Sequence, residues 1–202
     1  VMIGLVQRIL AKLRSLWFAC VHAPRFGRCG RNVLLYAPFR VNGGEHIGLG
    51  DRTVMQRGAW LYCEPSEGQS GRLHVGSGCV FGYNNHITAV RDVVIEDHVL
   101  TANNVYISDN LHSYEDVGVP IMHQPVRFKN AVVIGEGSWI GENVCIIGAS
   151  VGKNCVVGAN SVVTHDIPDF SVAVGSPAVV IRYYDRSAGR WESKGVLRQG
   201  KG

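Results

Sequence analysis

Large apolar residues recur at every sixth position over most of the chain. They fall at Leu49, Met55 and Leu61, then at Val75, Phe81 and Ile87. The next set is Ile95, Thr101 and Ile107, with a β-branched Thr in the middle place. Two more sets follow, Ile134, Ile140 and Ile146, then Val151, Val157 and Val163. A weaker set precedes them at Leu35 and Val41. Six is neither the helical nor the simple strand period, so it marks a repeat unit of strand plus turn. Three hexads make one triangular coil. The aliphatic side chain points inward and stacks on its equivalents in neighbouring coils, so no coil buries its apolar face alone. Four residues after the aliphatic position there is often a small or β-branched one: Thr53, Ala59, Cys79, Val99, Val105, Ser138, Val144, Cys155 and Ser161. These fit corners where bulk would clash. The expected fold is an all-β parallel β-helix.

The count of six fails in three places. Residues 62–74 contain the polar stretch CEPSEGQSGR. A long excursion runs over residues 108–133, and the step from Ile146 to Val151 is one residue short. Outside the repeat, residues 1–24 read as an amphipathic helix. Ile3, Val6, Leu10, Leu13 and Trp17 share one face, with Arg8, Lys12 and Ser15 on another. Its basic residues make it a poor membrane span. It either packs against the protein's own trimer or lies on a membrane surface with Arg8, Lys12 and Arg14 toward anionic lipid. Residues 25–184 form the β-helix domain, and residues 185–202 read as a mobile basic tail.

Charge sharpens this division. Residues 1–40 hold seven Arg or Lys and no acid, residues 41–181 hold seven basic and fourteen acidic, and residues 182–202 hold six basic and two acidic. An acidic body between basic ends lacks the basic stripe that nucleic-acid binding needs. The six Cys contain no C-x-x-C pair, and Cys79 and Cys155 fall on small-corner positions. Small core thiols of a reducing, cytoplasmic setting are therefore expected, not a disulfide framework. The eight His raise the question of a metal. The pairs His86 and His98, and His112 and His123, are too widely spaced for a compact zinc motif.

The stretches IGEGSWIGENV and VGKNCVVGANSVVTHDIPDFSVAVGSPAVVIR resemble the signature of the hexapeptide-repeat acyltransferases. VLTANNVYISDNLHSYED followed by QPVR is similar to their sugar O-acetyltransferase branch. The resemblance covers roughly residues 30–184. It implies a left-handed coil, against the usual right-handed crossover. It also implies a homotrimer with active sites between neighbouring coils, acetyl-CoA as donor, and a sugar or glycan acceptor of a bacterial surface polysaccharide or lipopolysaccharide. On that basis His112, at the start of the excursion, is the expected general base. A sugar hydroxyl needs one to attack a thioester, and imidazole titrates in the right range. Asp109, Glu115 or Asp116 would orient it.

Asn84, Asn85 and His86 either line the acceptor pocket or form a structural ladder at a corner. Trp139 is expected near the donor thioester arm, with corner packing as the alternative. Gly141 and Ala159 match positions whose backbone approaches the pantetheine. Thr164 and His165 stand where the family usually has Thr-Lys, which weakens a phosphate contact there. Arg182 matches an Arg near the nucleotide end of the donor, and VGSPA resembles the family's chain reversal. An N-acyltransferase on an amino sugar nucleotide and a non-catalytic assembly protein are the alternatives. His112 speaks against the second.

Overall fold

The computed structural model describes residues 2–64 and 71–193, with side chains from residue 9 onward except residue 11. The hexads fold into a three-sided prism of parallel sheets. The first face carries Arg28–Cys29, Ile47–Leu49, Arg72–Val75, Asp92–Ile95 and Val132–Ile134. The second carries Leu34–Leu35, Val54–Met55, Val80–Phe81, Leu100–Thr101, Trp139–Ile140, Val156–Val157 and Ser171–Val174. The third carries Arg40–Asn42, Trp60–Cys63, His86–Ala89, Tyr106–Ser108, Cys145–Ile147 and Val162–Val163. The weak set at Leu35 and Val41 is thus a full coil, paired in register with Met55 and Leu61.

Leu49, Leu61, Val75, Phe81, Ile95, Ile107, Ile134, Ile140, Ile146 and Val157 are all completely buried. Burial of each such side chain stabilises by about 1.5–3 kcal/mol relative to exposure, and every one is in register with its equivalents one coil away. The small corner residues have a second role. Thr53 donates to the Gly76 carbonyl at 2.7 Å, Ser138 to Gly152 at 2.7 Å, Cys79 to Glu96 at 3.1 Å and Cys155 to Pro168 at 3.0 Å. A hydroxyl or thiol here satisfies a turn carbonyl of the next coil, which a purely apolar residue leaves open. Burial pushes the Cys79 thiol up to about 11.

The next corner is turned by residues in the left-handed region: Asn84, Asn104, Asn143 and Asn160, with φ between 56° and 59°. Asn tolerates this conformation better than other residues with a Cβ. Their amides chain along the prism, Asn84 donating to Asn104 at 3.2 Å, Asn104 to Asn143 at 3.1 Å and Asn143 to Asn160 at 3.1 Å. The acidity of the body also has a cause here. Asp51, Asp97 and Asp169 accept the backbone N–H of Arg31, Ser77 and Lys153 in the preceding coil.

Every large departure from six leaves at one corner, between the third and first faces. These are the 3-10 turn Gly44–His46, the 64–71 connection and the excursion. The short step after Ile146 lies at the same corner. Lys129 of the excursion lies over Gly148 (φ 53°) and donates to the Ile147 carbonyl at 2.8 Å, using the space of the missing residue.

The two ends are closed differently. Helix α1 (Met2–Val21) docks on the first coil through Phe18, which is buried against Phe26 and Phe39. Of the apolar face read from the sequence, Leu10, Leu13 and Trp17 are exposed on the single chain. Ile3 and Val6 lie among the residues whose side chains are not described. A separate 3-10 turn, Ala23–Arg25, follows the helix. At the other end VGSPA reverses the chain, and Val179–Asp185 pairs antiparallel with Ser171–Val174. Arg190–Ser193 then pairs back on it. Residues 186–193, expected to be part of a mobile tail, are a hairpin. Their Gly and charge belong to a turn in which Asp185 accepts from Ser187 and Ala188. Residues 194–202 lie outside the described residues.

Candidate active site

The excursion is held at its neck by Asp109. This fully buried carboxylate accepts the backbone N–H of Val90 at 2.9 Å and those of Arg91 and Asp92 at 2.8 Å. It also accepts the side-chain amide of Asn110 at 2.8 Å. The chain then forms a short antiparallel ribbon, Asn110–His112 against Val126–Phe128, with His112 opposite Val126. His112 is exposed at the end of that strand. Gln124 braces the loop beyond it by donating to the Asp116 and Val119 carbonyls at 2.8 Å each.

The three candidate orienting acids have other partners. Asp109 is committed to the neck. Glu115 pairs with Arg127 at 2.8 Å and accepts the Tyr114 N–H, which holds its carboxyl below the usual range. Asp116 accepts the Gly118 N–H at 2.9 Å. Among the described residues none of them is hydrogen-bonded to the His112 ring.

Asn84, Asn85 and His86 are neighbours in sequence with three different fates. Asn84 is the first rung of the asparagine ladder. Asn85 points into the prism, where it donates to the Gly82 and Ala102 carbonyls and accepts from the Thr101 hydroxyl at 3.0 Å. It is buried and fully used, so the pocket-lining expectation fails for it. His86 faces outward on the third face, stacked on Trp60 with ring centroids 4.1 Å apart and planes 1° apart. Tyr106 tilts against it at 5.1 Å, and the Arg40 guanidinium covers the far face of Trp60 at 4.6 Å. Burial in this stack lowers the His86 pKa and favours its neutral form. The sequence reading missed the stack, because Trp60 and Tyr106 lie a coil away on either side.

The donor candidates gather elsewhere. Trp139, Val156, Val172 and Arg182 are successive partners across the second face. At the usual strand spacing, Trp139 and Arg182 lie about 14 Å apart along the prism. Trp139 is half exposed and Arg182 exposed. Gly141 sits at the adjoining corner against Ala159: a Cβ there would come within 2.7 Å of the Ala159 nitrogen. Thr164 and His165 lie on the excursion corner, with the Thr164 hydroxyl 3.0 Å from His165 Nδ1. One protomer thus brings Trp139, Gly141, Ala159 and Arg182 to one face and corner. It places His112 and His165 at a different corner. Among the described residues no three His, Cys, Asp or Glu side chains converge as a metal site would require.

Comparison with known proteins bears on what this arrangement is. Residues 131–165 match a family model described as the hexapeptide repeat of succinyl-transferase. A putative lipopolysaccharide biosynthesis O-acetyl transferase of Escherichia coli is 35% identical over 131 residues, which span 58% of this chain and 67% of that protein. The chain belongs to the hexapeptide-repeat acyltransferase family. A probable acetyltransferase of Mycobacterium tuberculosis is 35% identical over 156 residues. That match covers 77% of this chain, which spans 47% of the length of the mycobacterial protein. Among solved structures, a variant of AntD, an N-acyltransferase from Bacillus cereus, superposes with a TM-score of 0.67. The match covers 90% of this chain and 91% of that one at 17% identity. It shows a shared fold.

Proposed function

We propose that the protein is an acetyl-CoA-dependent O-acetyltransferase, with His112 as general base and a sugar hydroxyl of a surface polysaccharide or lipopolysaccharide precursor as acceptor. The observation that carries this reading is the fixed, exposed placement of His112 on a ribbon anchored by Asp109. His112 takes the hydroxyl proton as the oxygen attacks the thioester carbonyl. The tetrahedral intermediate collapses with cleavage of the C–S bond, and the CoA thiolate leaves and takes up the proton. A backbone N–H at the oxyanion contributes several kcal/mol in such sites. Acetyl-CoA lies along the second face, its thioester arm against Trp139, its pantetheine over Gly141 and Ala159, and its nucleotide toward Arg182.

Because His112 and the donor column occupy different corners of one protomer, a complete site needs a second copy. This fits the left-handed homotrimer expected of the family. The E. coli lipopolysaccharide relative supports the acceptor class. The AntD fold keeps an amino-sugar acceptor as the second reading, since an ammonium group must also lose a proton to the same base. Release of free CoA thiol with a panel of hydroxyl and amino sugars separates the two. His112→Ala is expected to remain a trimer by light scattering and to lose transfer by about 10²–10⁴-fold. Near-normal turnover in that variant removes His112 from the mechanism.

A further inference from the structure

The helix that closes the first coil carries an apolar surface facing away from the body. At 100° per residue, Ile9, Leu10, Leu13, Leu16, Trp17 and Val21 fall within an arc of about 140°. Each of the six is about half exposed. Phe18, which anchors the helix, lies on the opposite side. Lys12 and Arg14 are exposed and flank the arc, one at each edge. Single exposed apolar residues are ordinary, but a contiguous stripe of six implies an occupant.

We propose that this stripe docks the protein peripherally on an anionic lipid bilayer. Charge selects the occupant. Residues 1–40 contain seven basic residues and no acid. Arg25, Arg28, Arg31 and Arg40 are exposed on the first coil beside the helix. A second copy packed stripe to stripe about a two-fold axis would set this cluster against itself, which like-charge repulsion opposes. An acyl-chain boundary beneath a layer of phosphates satisfies both parts of the surface. Lys12 reaches up to the phosphates while its stem stays with the stripe; the Arg14 guanidinium lies over the Tyr36 ring, 5.6 Å from its centroid, on the body side of the helix.

Continuity with a second feature supports the orientation. Trp17 belongs to the stripe and also lines a cleft of about 700 Å³ formed with His22, Arg25, Phe39, Arg40 and one acid, Glu45. Basic groups and aromatic walls therefore lie beside the stripe, at the level a headgroup would occupy. Among the described residues no helix is long and apolar enough to cross a membrane, so the contact is interfacial. It is independent of the acetyl-transfer reading.

The test is co-sedimentation of the full chain with vesicles of phosphatidylcholine alone and of phosphatidylcholine containing phosphatidylglycerol. Binding to the anionic vesicles, weakened by salt, is expected. The double variant Leu13→Glu, Leu16→Glu keeps Phe18 and should match the wild type in thermal unfolding. It should bind about tenfold more weakly or worse. Lys12→Gln should weaken binding about fivefold. Wild-type indifference to the anionic vesicles, or full binding by the double Glu variant, overturns the proposal. So does a change of oligomeric state in that variant, which would make a second copy the occupant.

Discussion

Asp109 offers the sharpest test of how the catalytic loop is held. Asp109→Ala removes a carboxylate that accepts three backbone N–H groups, and their environments differ. Val90 is buried, so its N–H is left without a partner, at a cost of about 1–3 kcal/mol. Arg91 is exposed and Asp92 partly so. Their N–H groups rehydrate, and each loses about 0.5–1 kcal/mol. Release of the buried charge from its desolvation offsets part of this. The net cost is about 2–4 kcal/mol.

The loss should be local, because the stacked core does not pass through this corner. Hydrogen exchange should accelerate at the amides of residues 90–92 and of the Asn110–His112 ribbon. The core strands Ile140 and Ile146 should keep most of their protection. Acetyl transfer should fall as His112 loses its fixed position. Asp109→Asn should fare little better, since its amide nitrogen must face at least one of the same donors. Denaturant unfolding within about 0.5 kcal/mol of wild type, with unchanged exchange at residues 90–92, would refute the anchoring role.

Three further outcomes follow from the geometry. Burial lowers the pKa of His22, His74 and His86 below their ordinary 6.5. The unfolded chain therefore takes up protons first as pH falls, so stability holds above about pH 6.5 and declines below it. His86→Phe should preserve the stack and flatten that decline, and an identical pH profile would contradict the assignment. Asn104→Ala puts a residue less tolerant of the left-handed region than Asn at φ 57° and breaks two rungs of the ladder. It should cost about 1–2 kcal/mol in thermal unfolding, and Asn104→Gly should cost less. Trp139→Ala should raise KM for acetyl-CoA with little effect on unfolding, because the ring is half exposed. An unchanged KM would leave the donor arm unplaced.

The inward half of the structure was legible because every aliphatic position is constrained in the same way in each coil. The outward half was not, because its partners are set by register between coils. Thr53 bonds Gly76 and Ser138 bonds Gly152, and the two intervals differ with the loop lengths between them. The same blindness covers Asn84 and Asn85. Adjacent and identical in type, they differ only in which side of the strand they leave. The terminal hairpin was hidden because its strand character depends on Ser171–Val174 as a template. That His112 lies on the excursion was legible from the break in the count of six, whereas Asp109 as the anchor required seeing the turn at Val90–Asp92 packed beneath it.

A parallel stack in which each layer templates the next contains no internal instruction to stop. Left open, either end of this prism would present a full triangle of unpaired strands to any other copy, which is the growth surface of a fibre. Phe18 and α1 cover one end. At the other the chain turns back, and the antiparallel strand Val179–Asp185 replaces the next parallel layer with one that cannot propagate the coil. These two elements therefore set the length of the prism. They make a repeat with the periodicity of a polymer form a discrete stack.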